Sequence, residues 1–484
     1  MPKQLRSLSG WLRPYVYLSS NSLSLVGVIF VTAASVLWVY LLPVFLNGMA
    51  GDPYTGILIF MGLPSLFLLG LIIIPLGIIV RGRRERRKGI YPASFPPLDF
   101  KNRDWRRLLL FIGVTTAVNV VIGGQLVYSG VNYMDSVTFC GETCHTVMKP
   151  EYVAYLHSPH ARVACVKCHI GPGASWFVRS KLSGTYQVFA TIFNTFPRPI
   201  PVPITNLRPA RATCEQCHWP ARFEGNRLTI IPHYASDETN TLTEDVLLMH
   251  IGGGDGQGGI HGAHVSPGVT IRYGSDPSRQ KMDWVYYTDT RTGKKTLFVA
   301  PGVDPKSVDT RKGRIMDCID CHNEPSHTFH LPGKAMDKAM ANGQISPSLP
   351  FVKKEGVALL EENYSSQADA ARRIPEELSA YYQSSNPSVM SQQKAAVEQA
   401  GKSLVAIFDQ NVFPKMNVKW GTYPNSLSHE GCFRCHGALH NSSVTYMKIP
   451  KHCDMCHTIL AQDSKNPKIL DELQLSDPGG SSTK

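Results

Sequence analysis

Residues 165–169 of this 484-residue chain are CVKCH, two cysteines separated by two residues and followed at once by a histidine. The same pattern recurs at 214–218, 318–322, 432–436 and 453–457. In such a pattern two thioethers anchor a c-type haem, and the adjacent histidine becomes an axial ligand of the iron. A further stretch, CGETCH at 140–145, has one extra residue between its cysteines and is interpreted as a haem site with a widened loop. The six motifs are numbered below in chain order, so this one is the first.

The six motifs together use all twelve cysteines of the chain, which leaves none for another role. Zinc sites and disulfides also use pairs of cysteines, but neither requires a histidine directly after the second one. A disulfide stays open as the alternative for the widened first pair. We therefore predict six haems c, attached to Cys140, Cys144, Cys165, Cys168, Cys214, Cys217, Cys318, Cys321, Cys432, Cys435, Cys453 and Cys456.

Each motif supplies one predicted iron ligand, and these are His145, His169, His218, His322, His436 and His457. An iron that only carries electrons generally has a second axial ligand. Of the 17 histidines, 11 lie outside the motifs, which is enough for a histidine on both sides of every iron. Spacing alone does not select them, but His429 and His440 flank the last two motifs and are candidates.

Long apolar runs are confined to the N-terminal quarter of the chain. A helix that crosses a bilayer needs roughly 20 apolar residues. Three runs meet this length, at about Ser22 to Leu46, Thr55 to Val80 and Leu108 to Val127. The first is expected to be retained, because a second run follows closely and no small-residue cleavage site stands out. The predicted fold class is three transmembrane α-helices followed by a mostly α, loop-rich, haem-organised periplasmic domain with a small β-containing insertion.

Basic residues predict the orientation of these helices. RGRRERRK at 81–88 and KNRDWRR at 101–107 lie between the second and third runs, whereas NGMAGDPY at 47–54 contains no basic residue. Short basic loops stay in the cytoplasm. The haem motifs are therefore expected in the periplasm of a bacterial cell, outside the inner membrane. The net charge of +12 owes much to this loop, which is expected to contact anionic lipid rather than nucleic acid.

Composition and motif spacing divide the chain into segments. Between the third and fourth motifs, an insertion at about 220–312 contains the glycine-rich GGGDGQGG and the strand-like VTIRYG and WVYYTD. The glycine-rich run lacks the Lys-Ser/Thr of a phosphate-binding loop, so we expect it to bring His264, in GIHGAH, to a haem. The predicted segments are a cytoplasmic N-terminus (1–21), two membrane helices (22–80), a basic loop (81–107), a third membrane helix (108–130), a four-haem domain (131–333), a helical spacer (334–430) and a C-terminal two-haem module with its tail (431–484).

Four motifs behind one membrane helix resemble the NapC/NirT/NrfH family of tetrahaem quinol dehydrogenases. SPH at 158–160 is similar to the family's SxH element, and CIDCHNEPSH at 318–327 is similar to its CIDCHKGIAH. The resemblance implies that His160 and His327 are distal iron ligands. FVRSKLSG places Lys181 twelve residues after His169, where the family has a lysine beside its quinol pocket.

The chain also departs from that family. It has two additional membrane helices, and Met148 lies three residues after His145 where the family has a methionine after two. Whether His145 or Met148 binds the first iron is therefore open. No acidic residue occurs between Ile170 and Cys214, so the family's acidic group beside the quinol would have to be replaced by Asp135, Glu142 or Glu151. Three membrane helices and extra C-terminal haems resemble the ImcH-type inner-membrane cytochromes of bacteria that respire extracellular acceptors.

These features predict a cytochrome that moves electrons from the membrane quinol pool to periplasmic c-type cytochromes. Lys181, Asp135 and Glu151 are the candidate catalytic residues of quinol oxidation. The main alternative is a terminal reductase of nitrite or hydroxylamine, which needs an iron with an open position. A structural haem subunit of a respiratory complex, or a redox sensor, is the third reading. The many spare histidines favour electron transfer over a reductase.

Overall fold

The structure is a computed structural model. It describes residues 8–46, 62–96, 103–134, 136–143, 145–171, 174–204, 208–219, 224–252, 258–443 and 447–475.

Two compact units make up the chain, and each contains two segments of the sequence. Unit one comprises Met1–Thr143 and Ala164–Phe193. Unit two comprises Cys144–Val163 and Asn194–Lys484. The second haem motif and the helix that carries Lys181 therefore group with the apolar helices, whereas the sequence-based division placed them in one domain with the third and fourth motifs.

The first helices in the described part of unit one are α1 (Leu8–Ser19), α2 (Ser22–Leu46), α3 (Leu63–Arg87) and α4 (Arg103–Met134). Among the residues that the structure describes, two segments are long and apolar enough to cross a membrane, Ser22–Leu41 and Leu63–Arg87. The third predicted span, 108–127, lies inside the continuous helix α4. The predicted start of the second span at Thr55 lies outside the described residues.

Glycines bring α2 and α3 into close contact. A Cβ atom added to Gly27 would lie 2.9 Å from the carbonyl oxygen of Gly70, and one added to Gly70 would lie 2.8 Å from that of Gly27. The Ser24 hydroxyl donates to the Ile74 carbonyl at 2.9 Å. Small residues permit such close approach in apolar helix pairs, where dispersion and interhelical hydrogen bonds replace the hydrophobic effect.

Arg81, in the last part of α3, fixes the end of α1. Its guanidinium donates to the carbonyl oxygens of Tyr17 at 2.6 Å and Ser20 at 2.7 Å. It also pairs with Glu85 at 2.7 Å. A cation at the carboxyl end of a helix satisfies free carbonyls and the negative end of the helix dipole. The short helix α1 is thereby held beside the basic end of α3.

The next helices alternate between the units. Helix α5 (His145–Leu156) belongs to unit two, and α6 (Cys165–His169) and α7 (Ala174–Ile192) belong to unit one. Unit two then continues with two short helices that precede and follow its first two strands. These are α8 (Ala210–Cys214) and α9 (Gly259–Val265).

Eight strands of unit two form two antiparallel sheets. They are β1 (Arg227–Tyr234), β2 (Leu242–Met249), β3 (Val269–Ser275), β4 (Met282–Asp289), β5 (Lys294–Val299), β6 (Arg314–Ile315), β7 (His440–Asn441) and β8 (His457–Ser464). The strand orders are β1-β2-β8 and β6-β3-β4-β5-β7. Both sheets thus contain strands from the insertion and a strand from the C-terminal segment. The sequence-based division separates these segments, but their backbones are hydrogen-bonded to each other.

A helical subdomain lies between the fourth and fifth motifs. Its helices are α10 (Pro332–Ala341), α11 (Val352–Glu361), α12 (Gln367–Ser385), α13 (Pro387–Gln392) and α14 (Lys394–Asn411). Their apolar faces form a core that includes the fully buried Met336, Leu378, Tyr382 and Leu404. Helices α15 (His429–Cys432) and α16 (Lys468–Glu472) follow it. This region therefore has its own core, independent of any haem.

Candidate haem-binding site

The third, fourth and fifth haem motifs each fold into a single helical turn. The amide of the motif histidine donates to the carbonyl of the first motif cysteine at 2.8 Å in His218–Cys214, 2.8 Å in His322–Cys318 and 3.1 Å in His436–Cys432. This bond spans four residues, as in one turn of an α-helix. The turn brings both thiols and the imidazole of a motif to one place, which is what covalent attachment and axial ligation by one haem require.

Four histidines from outside the motifs lie opposite four motif histidines. The distances between ring centres are 6.0 Å for His160 and His218, 6.2 Å for His261 and His322, 5.9 Å for His264 and His436, and 6.0 Å for His429 and His457. All eight residues belong to unit two. Each pair combines residues that are distant in the sequence.

The spacing of these pairs fits two axial ligands on one iron. Metal–imidazole bonds of about 2 Å, with ~1.2 Å from each nitrogen to its ring centre, separate the two ring centres by roughly 6 Å. All four measured separations lie between 5.9 and 6.2 Å. The residues present therefore fit a bis-histidine haem at the third, fourth, fifth and sixth motifs.

Hydrogen bonds orient four of these eight imidazoles through their Nδ1 atoms. The partner is a main-chain carbonyl in each case: Pro325 for His160 at 2.9 Å, Ile251 for His261 at 3.1 Å, Ile260 for His264 at 2.7 Å and Pro450 for His436 at 2.6 Å. A carbonyl at Nδ1 fixes the tautomer that presents Nε2 as the ligand. Burial also lowers the pKa of His261, His264 and His322, which favours the neutral, ligating form.

Three of the predicted distal ligands lie opposite a motif histidine, and His440 lies on a strand. His160, His264 and His429 are each in one of the four pairs. His440 lies on β7, where it pairs with Val299 of β5, and its ring is in none of the imidazole pairs of the described chain. His261 was not among the predicted ligands. Its position three residues before His264, on the same helix, is the sequence signal that would have identified it.

His327 and the residues near the first motif form a second group. His327 Nδ1 is hydrogen-bonded to the carbonyl of Glu151 at 2.8 Å, the arrangement seen in the paired histidines. Met148 is partly buried against the apolar cluster of Val147, Phe413 and Met416. The side chain of His145 and all of Cys144 lie outside the described residues, so the ligand of the first iron stays a prediction.

Of the candidate catalytic residues, Glu151 is the one whose side chain the structure describes. Lys181 lies in α7, but its side chain is outside the described part of the structure, as is Asp135. Glu142 is on a π-helical turn, Phe139–Thr143. Burial raises the pKa of the Glu151 carboxyl to about 7.

A cavity of about 340 Å³ lies beside α5 in unit two. Its polar lining includes Lys149, His157, Gln367 and Asp409. The Lys149 ammonium donates to the Gln367 side chain at 3.0 Å. Burial raises the pKa of Asp409, so this cavity combines a cation with a carboxyl that retains its proton more readily than usual.

Within each unit, cysteines of consecutive motifs lie close together. The thiol of Cys165 is hydrogen-bonded to that of Cys140 in unit one, and in unit two the thiol of Cys318 is hydrogen-bonded to that of Cys214. Cys432 and Cys435 help to raise the pKa of the Cys321 thiol, and Cys432 helps to raise that of Cys456, so these thiols also lie near one another. In unit two the attachment points thus follow one another in chain order from the third motif to the sixth.

Asp320, inside the fourth motif, organises its surroundings. It is 6% exposed and accepts hydrogen bonds from the Tyr273 hydroxyl at 2.6 Å and the Asp317 amide at 2.8 Å. The guanidinium groups of Arg314 and Arg279 pair with it at 3.2 and 3.4 Å. This residue joins the fourth motif to strands β3 and β6.

Repeated attachment motifs, paired imidazoles and apolar membrane-length helices define a membrane-anchored multihaem c-type cytochrome. Comparisons with known proteins agree. The model of the NapC/NirT cytochrome c family, N-terminal region, matches residues 102–199. The cytochrome c-type protein ImcH of Geobacter sulfurreducens is 38% identical over 458 residues, which cover 92% of this chain and 89% of that protein. No solved structure matches the chain.

The chain belongs to the NapC/NirT cytochrome c family, as an ImcH-like member. Membership implies covalently bound haem c and a role in electron transfer.

Proposed function

We propose that the protein carries six haems c and passes electrons from quinol in the inner membrane to c-type cytochromes in the periplasm. The four imidazole pairs are the observation that supports this most strongly. An iron with two histidine ligands has no open position for a substrate, so it exchanges electrons without binding one. The same argument disfavours a nitrite or hydroxylamine reductase at these four sites.

Haem c supplies one-electron chemistry, and the protein positions it and tunes it. In this chain, main-chain carbonyls at Nδ1 of His160, His261, His264 and His436 would hold these four imidazoles in the ligating tautomer. Burial lowers the pKa of His261, His264 and His322 and so favours their neutral form. The axial ligand, its hydrogen bonds and its burial are the means by which a protein sets a haem potential. These residues would thus fix both the position and the potential of each electron carrier.

The distribution of basic residues supports an orientation of the apolar helices in the membrane. The basic residues Arg84, Arg86 and Arg87 occupy the last turn of α3, and further basic residues precede α4 in the sequence. The positive-inside rule assigns this end to the cytoplasm. With α4 as a third span, the haem motifs would lie on the periplasmic side.

Two places are candidates for quinol oxidation. One is the surroundings of Lys181 on α7, for which the family resemblance is the support. The other is the cavity lined by Lys149, His157 and Asp409. A quinol releases protons as it is oxidised, and each place offers a cation that would stabilise the developing negative charge on the quinol oxygen.

The mass of the intact protein tests the haem count. Because six motifs account for all twelve cysteines, we expect mass spectrometry to find the polypeptide plus six haem groups. Replacement of Cys140 and Cys144 by serine should reduce the count by one. A parent protein with five haems would mean that the widened first motif is not used.

The proposed direction of transfer is tested by anaerobic reduction of the purified, detergent-solubilised protein with a reduced quinone. We expect haem absorbance to change to that of the ferrous form, and the reduced protein to be reoxidised by an added periplasmic-type cytochrome c. A protein that quinol does not reduce, but that turns over nitrite or hydroxylamine with dithionite, would instead be a terminal reductase.

A further inference from the structure

Helix α9 carries two histidines that lie opposite the histidines of two different motifs. His261 is paired with His322 of the fourth motif, and His264 is paired with His436 of the fifth. Side chains three residues apart on a helix lie roughly 5–6 Å apart at their Cβ atoms. The two irons that these pairs would bind must therefore be neighbours.

The backbone on both sides of α9 holds it in place. The amide of Ile260 donates to the carbonyl of His250 at 2.8 Å, and that of His261 donates to Ile251 at 3.0 Å. Gly259 has a φ of +68° and lies so close to Gly252 that an added Cβ would be 2.8 Å from the Gly252 Cα atom. The glycines flanking this loop thus serve close packing of α9 against the end of β2.

Side chains fix the other end of the helix. The hydroxyl of Ser266, which is 1% exposed, donates to the Gly262 carbonyl at 2.7 Å. The Arg211 guanidinium, from the helix that leads to the third motif, is hydrogen-bonded to the Val265 carbonyl. A cation that binds a carbonyl at the carboxyl end of a helix stabilises it. Both imidazoles are therefore presented from an anchored element.

The fourth and fifth motifs are in direct contact at the same place. Arg434, between the two cysteines of the fifth motif, donates to the carbonyl of Asp320 at 2.7 Å and to that of Arg279 at 2.6 Å. The thiol of Cys321 also lies near those of Cys432 and Cys435, which help to raise its pKa. The motifs that α9 would ligate are thus held next to each other independently of α9.

The same arrangement repeats at the fifth and sixth motifs. Helix α15 begins with His429, which is paired with His457, and ends with Cys432 of the fifth motif. One short helix would therefore both attach one haem and ligate the next. The sixth motif is joined to β2 as well, because the amide of His250 donates to the carbonyl of Cys456 at 2.8 Å.

We propose that α9 ligates two irons at once, with His261 on the iron of the fourth motif and His264 on that of the fifth. This bridge makes the insertion the link through which electrons leave the family's four-haem segment for the two C-terminal haems. The inference rests on the proposed function for the presence of these haems. It adds the order of transfer, from the fourth haem to the fifth and then the sixth.

Two single substitutions test the bridge in the full-length, haem-loaded protein. His261→Ala and His264→Ala should each convert one low-spin ferric haem per protein to the high-spin form, seen by EPR and optical absorption. The ring planes of the two pairs differ, with angles of 5° for His261–His322 and 50° for His264–His436. Since the angle between imidazole planes changes the EPR signal of a low-spin haem, the two variants should lose different signals.

A second pair of variants distinguishes loss of an iron ligand from loss of the fold. His261→Met and His264→Met keep a ligand on the iron, and methionine raises the potential of a haem relative to histidine. A potentiometric titration of each should show one haem at higher potential, with haem content unchanged. His233→Ala is the matched control, because this exposed histidine lies on β1 of the same insertion and is hydrogen-bonded to the Asp245 carboxylate at 3.3 Å.

The bridge is wrong if the spectra of both alanine variants match that of His233→Ala, or if both lose the same low-spin signal. Quinol oxidation is measured separately with the unsubstituted protein. Failure of quinol to reduce the parent would overturn the proposed function without affecting the ligand assignment, and unchanged spectra in a parent that quinol reduces would overturn the bridge alone.

Discussion

Replacement of Asp320 by alanine should lower the stability of the protein by about 3 kcal/mol, the lower end of the range for removing one partner of a buried ion pair. The substitution would leave the buried Tyr273 hydroxyl without its acceptor. It would also leave the Arg279 guanidinium, 17% exposed, without its carboxylate. The lower end of the range applies because Arg314 is 33% exposed and water can partly solvate it.

The measurement is the guanidinium midpoint of the detergent-solubilised protein, followed by circular dichroism of the haem band. Asp309→Ala is the matched control, since Asp309 pairs with an Arg311 side chain that is 90% exposed. Exposed pairs contribute about 0–1 kcal/mol, so this variant should denature close to the parent. Equal midpoints for the two variants would mean that Asp320 does not hold the fourth motif in place.

Lys181→Ala should slow quinol-driven haem reduction by about 10-fold or more, the scale expected when one positioned hydrogen-bond donor is lost. The ammonium would stabilise the negative charge that develops on the quinol oxygen as its proton leaves. Reduction by dithionite and the haem content should be unchanged, because neither requires the quinol site. The rate is measured by stopped-flow absorbance with a reduced quinone analogue.

Lys149→Ala is the natural comparison, because Lys149 lines the cavity that contains Asp409. A slow Lys181→Ala variant and a normal Lys149→Ala variant would place quinol oxidation beside α7. The reverse result would place it at the cavity of unit two and would show that the family lysine has lost its role in this chain.

The haem attachment motifs can be recognised in the sequence because their chemistry is local. A cysteine pair and its histidine fit in one helical turn, so the spacing alone identifies Cys318, Cys321 and His322. The apolar run of α2 is equally visible, since bilayer thickness sets its length. In the insertion, the strand-like VTIRYG and WVYYTD lie in β3 and β4.

The pairing of histidines could not be predicted in the same way, because it depends on contacts between distant segments. His429 and His440 flank the fifth motif equally well in sequence, but only the strand pairing of β7 shows that His440 belongs to a sheet edge. The sequence led to a prediction of His264 alone as a distal ligand, whereas His261 and His264 each lie opposite a motif histidine. The roles of Asp320 and Arg434 were also hidden, since the variable positions of a haem motif carry no general signature.

Strand β8 lies near the end of the described chain, but it belongs to the same sheet as β1 and β2. His250, at the end of β2, contacts Thr458 of β8, 208 residues later in the chain. Because strands pair only when both are present, the three-stranded sheet cannot be completed until β8 has been synthesised. The helical subdomain precedes β8 in the chain, since its core residues lie at 335–412, and its core does not require that strand. Loss of the C-terminal segment would therefore leave β2 with an unpaired edge, while the core of the helical subdomain would keep all of its residues.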